Sequence, residues 1–353
     1  MVRFGSSSKR NMIKKAIQFL LFFGIGATIL YLVFRSQNAA FMEQCRLDGV
    51  PEDQCSLTDK LLGDFSTVHI GWLLVVMLAF TVSNIFRALR WQMLLEPVGH
   101  QARFHNTFLT ILLGYFANLG FPRMGEVIRA GSLARYEKAP LDKVMGTLVI
   151  DRLADVVCLG LVVGLAFLFE GTTLLNFINA NRQSAAPTGG ISLPWILLLT
   201  GLIMLGAGYL FRARLQELTL VKKGLEVAKG FWEGLRSVLK LKSPAMFTVY
   251  SLGIWVMFYL QCYFNLLAFP PTAHLGAGAA LMVFVFGTLG FVIPSPGGMG
   301  TFHALCIAAL ALYGINGGDA FSYANISFFA IQIFYNIIGG VLSLVLLPVL
   351  NKL

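Results

Sequence analysis

Charge is scarce in this chain. Only 12% of its 353 residues are Asp, Glu, Lys or Arg, against about 25% in a soluble domain. That excludes a soluble domain of useful size once the apolar runs are set aside. Cysteine is sparse too, five in all and scattered, and none stands at metal-ligand spacing. No metal and no cofactor are expected. The chain lacks a nucleophile elbow, an H-E-x-x-H pair and paired carboxylates flanking a pocket. Gly297-Gly-Met-Gly300 has neither the Lys nor the Ser/Thr of a phosphate-binding ATPase loop, so nucleotide hydrolysis is not encoded. A transporter is expected in preference to an enzyme.

What is abundant is apolar surface: 57% of residues are hydrophobic and the mean hydropathy is +0.73. This is the composition of a polytopic helical membrane protein. The net charge of +10 invites a nucleic-acid reading, but Lys and Arg gather in the loops that one topology puts in the cytoplasm, the positive-inside pattern. No nucleic-acid partner is expected.

Residues 1–15 carry Arg3, Lys9, Arg10, Lys14 and Lys15 and are placed inside. The first span follows at 16–34; it is too long for a signal peptide and is read as a retained anchor. The acidic loop 35–67 lies outside, and its Cys45 and Cys55 are a disulfide candidate if that compartment is oxidising. Further spans are expected at 69–89, 144–169, 193–211, 245–268 and 321–348, ending inside near Lys352. A basic stretch at 212–242 has helical apolar spacing and is read as an amphipathic helix on the inner leaflet. Both termini are expected in the cytoplasm, with the protein in the cytoplasmic cell membrane. Cys158, Cys262 and Cys306 are read as small core residues.

Two apolar stretches are interrupted by Gly and Pro: Asn118-Leu-Gly-Phe-Pro-Arg-Met-Gly-Glu-Val-Ile-Arg129 and Ile293-Pro-Ser-Pro-Gly-Gly-Met-Gly-Thr-Phe-His303. Pro lacks an N–H and clashes with the preceding turn. Interrupted helices in lipid are tolerated only where protein or a watery cavity covers the freed backbone. The charges flanking the first break want both ends inside, which predicts a hairpin at 104–136 entering from the cytoplasm; the second, at 276–314, enters from outside. The expected fold is all-α and polytopic: six full transmembrane helices plus two oppositely oriented re-entrant helical hairpins in an inverted repeat. It is one membrane domain over 1–353: an anchor and external loop (1–68), a first repeat (69–169), a connecting span with the amphipathic helix (193–242) and a second repeat (245–348). Matched breaks in two inverted halves point to a substrate site near the bilayer midplane.

The candidate substrate-binding residues follow. Arg123, Glu126 and Arg129 sit at the first break; Asp151, Arg152 and Asp155 sit in an otherwise apolar span, with Asp151 and Asp155 on one helix face. An intramembrane ionisable group costs about 2.5–3.5 kcal/mol on insertion scales. The six carry three charges of each sign, so they either lock hairpin to span or leave Arg charge for an anionic head group. The second hairpin arms begin after Gly125 and after Pro296, Gly297, Gly298 and Gly300, where helix N-termini are expected to offer free amides to a phosphate. His303 lies just past the second tip, as a structural residue or a proton carrier. Asn118, Asn265, Gln332 and Asn336 are read as bridges between helices, and Arg87, Arg90 and Trp91 as anchors at the inner interface.

Four motifs stand in order: Arg-Ala-Leu-Arg-Trp-Gln-Met-Leu-Leu at 87–95, the Pro-Arg-x-Gly-Glu-x-x-Arg core ending at Arg129, Asp151-Arg-Leu-Ala-Asp155, and Pro296-Gly-Gly-Met-Gly300. Together they resemble the flippase-like transmembrane family of lysylphosphatidylglycerol synthase, related to the membrane half of multiple peptide resistance factor. The resemblance covers about residues 12–350. It implies movement of a lipid head group between leaflets. The soluble aminoacyl-transferase domain of the synthase is expected to be absent. Thr301, Phe302 and His303 stand where the family often has an Arg-Glu pair, and Asp151 where it usually has Glu. Those departures favour a plainer anionic lipid, a polyprenyl phosphate or an unmodified phospholipid. The expected function is a lipid flippase for a phosphate-bearing head group. The alternatives are an intramembrane lipid-modifying transferase using Glu126 or Asp151 as base, and a non-catalytic subunit presenting lipid to a partner synthase.

Overall fold

The computed structural model describes residues 24, 27–43, 45, 46, 55–120, 124–184, 238, 240–293 and 295–352, with the backbone alone for 177–184 and Pro296. The span expected at 193–211 and nearly all of the helix expected at 212–242 lie outside these residues. So does most of the span expected at 16–34, although 27–43 is helical. The chain divides into two compact units, Met1–Gly171 with Ala245–Leu353, and Thr172–Pro244. The first holds every site residue discussed below.

The described residues contain helices and no strands. They run α1 (Leu57–Thr67), α2 (Ile70–Leu95), α3 (Phe104–Gly120), α4 (Met124–Glu137), α5 (Leu141–Ser184), α6 (Pro244–Ala268), α7 (Ala277–Val292), α8 (Thr301–Ala311), α9 (Gly317–Phe328) and α10 (Asn336–Leu350). A π-helical segment, Phe329–Tyr335, joins α9 to α10. Local chemistry sets the ends. Ser56 caps α1 by accepting from the Asp59 amide (3.2 Å), and Asn316 caps α9 by accepting from the Asp319 amide (2.8 Å). Beyond α2, Pro97 begins a 3₁₀ turn, and the following Gly99 takes φ 87°.

Four helical runs are long and apolar enough to cross a membrane: Ile70–Val98, Leu141–Asn176, Pro244–Ala268 and Gly317–Leu350. They coincide with four of the six expected spans. Their outer faces bare large apolar side chains, among them Leu74 and Leu78 on α2, Leu161 and Leu168 on α5, and Leu344 and Val345 on α10. An exposed apolar surface of this extent belongs in lipid. α2 and α6 run antiparallel: the His69 amide donates to the Ala268 carbonyl (2.9 Å) at one end, and Arg90 donates to Ser251 Oγ (3.2 Å) near the other.

Four shorter helices form two hairpins where the breaks stand in the sequence. At 17 and 16 residues, α3 and α7 reach about 25 Å, short of a hydrocarbon core of roughly 30 Å. In the first hairpin a Cβ added to Gly114 would stand 2.9 Å from the Gly125 carbonyl oxygen. In the second, Thr301 Oγ1 donates to the Gly290 carbonyl (2.7 Å). Each contact joins residues eleven apart, which requires the chain to turn back on itself. Glycine at these crossings lets the two backbones touch. The first hairpin also packs on α10, with Gly340 against the Phe116 ring. At its open end Asn106 Nδ2 donates to Glu137 (2.5 Å) and Asn351 Nδ2 donates to Asn106 Oδ1 (2.8 Å). The second hairpin is buried in a core shared with α6 and α9, which includes Leu266, Val283, Leu310 and Ile326.

Two ties lie outside the spans or at the end of one. Cys45 and Cys55 form a disulfide with Cα atoms 6.3 Å apart, as their shared loop suggests. Chain entropy makes a loop this short worth about 2–3 kcal/mol; Cys45→Ser with Cys55→Ser is expected to lower the melting midpoint under oxidising conditions and to leave it unchanged under reducing ones. Lys60 bridges Asp64 (2.9 Å) and Asp319 (2.6 Å), joining α1 to α9. Burial pushes its ammonium down, but the hydrogen bonds and charges of the two carboxylates outweigh this and hold it above the ordinary lysine range. The lysine therefore keeps its charge, and its side of the tie, until pH rises above that range.

Candidate functional site

Three helices bring seven charged side chains together. On α2, Arg87, Arg90 and Trp91 share one face, at i, i+3 and i+4. On α5, Asp151 and Asp155 share a face for the same reason, with Arg152 beside them. On α4, Glu126 sits in the first turn and Arg129 one turn later. Asp151 is fully buried and is held by Arg90 (2.6 Å), Arg129 (3.4 Å) and Arg87 (3.6 Å). Asp155 is held by Arg90 (2.7 Å), Arg87 (3.0 Å) and Arg152 (3.2 Å). Arg152 also reaches Glu126 (2.8 Å), in a pair that is nearly half exposed.

Four guanidinium groups thus face three carboxylates, one positive charge in excess. Burying an ion away from water costs several kcal/mol unless it is paired and hydrogen-bonded. The carboxylates meet that condition better than the arginines. Arg129 is 3% exposed, yet its Nε and Nη2 have no hydrogen-bond partner among the described residues, and neither does Arg87 Nε. The Arg129 guanidinium lies 3.9 Å from the centre of the Trp91 ring, where the π-face partly offsets its lost hydration. Trp91 is fixed in turn by donating Nε1–H to Thr147 Oγ1 (2.9 Å).

A half-open cavity of about 530 Å³ adjoins the cluster. Its charged end is walled by Arg87, Glu126, Arg152, Asp155 and Asn118, and Ser295, Gly297 and Gly298 of the second break line the same space. The same walls also carry aromatic rings, among them Phe80, Trp255, Phe258 and Phe284. The end of α3 approaches the second break closely: a Cβ added to Gly297 would meet Leu119 at 3.5 Å.

The sequence-selected residues fall into three groups. Asn118, Glu126, Arg152, Asp155, Gly297 and Gly298 line the cavity; Arg129 and Asp151 complete the charge cluster behind its wall; Gly125, Gly300 and His303 build the turns. Arg123 lies outside the described residues, as does the side chain of Pro296. The expectation of free tip amides is corrected at three positions. The Gly125 amide donates to Asn118 Oδ1 (2.8 Å), that of Gly298 to the Ser295 carbonyl (3.2 Å), and that of Gly300 to His303 Nδ1 (3.4 Å). His303 is thereby a helix cap, buried against Phe328, and not a group opening on the cavity. Gly297, Gly298 and Gly300 take φ of 57°, 82° and 81°, the left-handed region that favours glycine. Their first task is the turn itself.

Arg87, Arg90 and Trp91 are also reassigned. They are 3%, 0% and 0% exposed and form the heart of the ion network instead of anchoring at an interface. The clue available was the i, i+3 spacing of two arginines in an apolar run, matching the i, i+4 aspartates. Asn265 does bridge helices, donating to Ser327 Oγ (2.6 Å). Gln332 and Asn336 do not: Asn336 donates to Gln332 within one helical stretch (3.1 Å).

The family described as the lysylphosphatidylglycerol synthase TM region matches residues 58–339, most of the chain and all of the described cluster. The chain belongs to this family. It is similar to a UPF0104 membrane protein of Methanocaldococcus jannaschii, 27% identical over 100 residues, which are 28% of this chain and 30% of the relative. The match thus spans under a third of that protein's length. No solved structure matches the chain. Membership of the synthase TM-region family, together with the apolar faces of α2, α5 and α10, makes this a membrane-embedded multi-pass protein, and it is consistent with a lipid-related role.

Proposed function

We propose that the protein is a flippase that moves a phosphate-bearing lipid head group between membrane leaflets. The observation that carries this reading is one cavity reaching both helix breaks and ending at an arginine-rich cluster with donors to spare. The family points to lipid. The excess guanidinium charge suits a phosphate, and the aromatic walls suit a partly apolar guest. Each carboxylate of the cluster is held by at least one guanidinium, which blunts it as a base and favours transport over a transferase reaction. In this reading α3–α4 and α7–α8 dip into the bilayer from opposite faces, within six spans arranged as an inverted repeat, and both termini lie in the cytoplasm. The matched glycine contacts, eleven residues apart in each hairpin, support a shared plan. Arg152 is the moving part: it releases Glu126 to take the phosphate, while Arg87 and Arg90 keep Asp155 in place.

The test is reconstitution in phosphatidylcholine vesicles containing fluorescent phosphatidylglycerol or fluorescent polyprenyl phosphate, with an impermeant quencher outside. Protein is expected to expose the inner-leaflet label. Arg152→Gln is expected to slow this by about tenfold or more, the loss of one charge-assisted hydrogen bond, with little change in melting temperature. Quenching no faster than in protein-free vesicles defeats the reading.

A further inference from the structure

We infer that the head group this cavity accepts carries a sugar, a hexose joined to the lipid through its phosphate. This rests on the flippase reading and narrows its substrate. Beyond the charged end, the cavity wall changes character. The charges on the wall itself cancel, Arg87 and Arg152 against Glu126 and Asp155, and the remaining polar groups are uncharged. Gln261, Thr288 and Gln332 are half-buried on the wall. Among the described residues the side chains of Gln261 and Thr288 make no hydrogen bond, and Gln332 uses only its carbonyl, accepting from Asn336.

These groups ask for both kinds of partner. A primary amide, as on Gln261, needs a donor and an acceptor, and the Thr288 hydroxyl can be either. A phosphate only accepts, and an ammonium only donates. A hydroxyl does both. A guest that brings both donors and acceptors therefore gains hydrogen bonds along this wall. Trp255, Phe258 and Phe284 pack edge to face around the same space, with ring centres 5.8 and 6.4 Å apart. A sugar ring presents apolar C–H faces to such rings and hydroxyls at its rim to the amides. The polar stations are spread around the wall, since Gln261 stands on α6, Thr288 on α7 and Gln332 in the π-helical segment. A sugar entering beside Arg87 and Arg152 therefore meets hydroxyl partners along the passage as well as at its mouth.

The test compares two fluorescent probes in the same vesicles: a polyprenyl phosphate bearing one hexose, and the same polyprenyl phosphate without it. The wild-type protein is expected to move the hexose-bearing lipid at least about tenfold faster, the worth of one or two hydrogen bonds. Gln261→Leu with Thr288→Val is expected to bring that ratio close to one. A wild-type ratio near one, or faster movement of the bare phosphate, overturns the sugar and leaves the flippase reading standing. Movement of neither probe, nor of phosphatidylglycerol, overturns both. The wild-type ratio decides the matter without any variant. Persistence of the preference in the double variant overturns the assignment to these residues.

Discussion

Replacing Asp151 by alanine is expected to destabilise the protein by about 3–5 kcal/mol, the cost of stranding buried charge. Asp151 is fully buried and is approached by Arg87, Arg90 and Arg129. Without it, four guanidinium groups share Asp155 and Glu126, and Arg129 loses the one carboxylate it contacts. Arg90 is 0% exposed, so its lost carboxylate is not replaced by bulk water as the cluster stands. Glu126→Gln provides the contrast. Its pair with Arg152 is nearly half exposed, and exposed pairs contribute about 0–1 kcal/mol. Thermal unfolding in detergent, followed by tryptophan fluorescence, should show a large downward shift for the first variant and almost none for the second. Adding Arg129→Leu to Asp151→Ala should recover part of the loss, because the guanidinium left without a carboxylate is then gone. Non-additivity of this sign is the signature of a shared network. Equal melting of Asp151→Ala and wild type would mean that water fills the cluster in solution, and that its charges are solvated instead of paired.

The same cluster marks where sequence reading succeeds and where it stops. The four spans beginning near Ile70, Leu141, Pro244 and Gly317 were legible because hydropathy integrates over twenty or so residues and tolerates local error. Both interruptions were legible because Pro and Gly act locally. The shared face of Asp151 and Asp155 follows from helical periodicity alone. Arg87 and Arg90 were harder. Arginine near the end of an apolar run reads as an interface anchor on any hydropathy scheme. Only the register of α2 against α5 turns these two inward, and register depends on packing between distant segments. The tip amides were misread for a related reason. A helix N-terminus in isolation has free N–H groups, but Asn118 lies seven residues before Gly125, and the two meet only when the hairpin closes. His303 in turn caps Gly300 at a distance of three residues, a pattern visible in the sequence but shared with many histidines that cap nothing.

Gly125→Ala is expected to be among the most damaging single-methyl changes at the described residues. The added Cβ would drive into the Gly114 carbonyl oxygen and stand 2.6 Å from Asn118 Oδ1. Neither obstacle moves cheaply. The first is backbone, and the second is the acceptor that holds the Gly125 amide. Overpacking of this kind costs about 1–3 kcal/mol, and here it also separates α3 from α4. Gly290→Ala should act alike on the other hairpin, since its Cβ would meet Phe302 Cα at 2.7 Å. Gly131 is the control: it sits within α4 with nothing within 4 Å of a Cβ, so alanine there should stabilise slightly, by about 0.5–1 kcal/mol. Amide hydrogen exchange separates these cases, because it reports opening segment by segment. Gly125→Ala should speed exchange across 104–137 while sparing α7 and α8, and Gly290→Ala should do the reverse. Because the end of α3 meets the second break and both line one cavity, either variant should slow lipid movement even where the rest of the helices stay protected. Uniform loss of protection along the whole chain would instead mean that the hairpins are not independent elements.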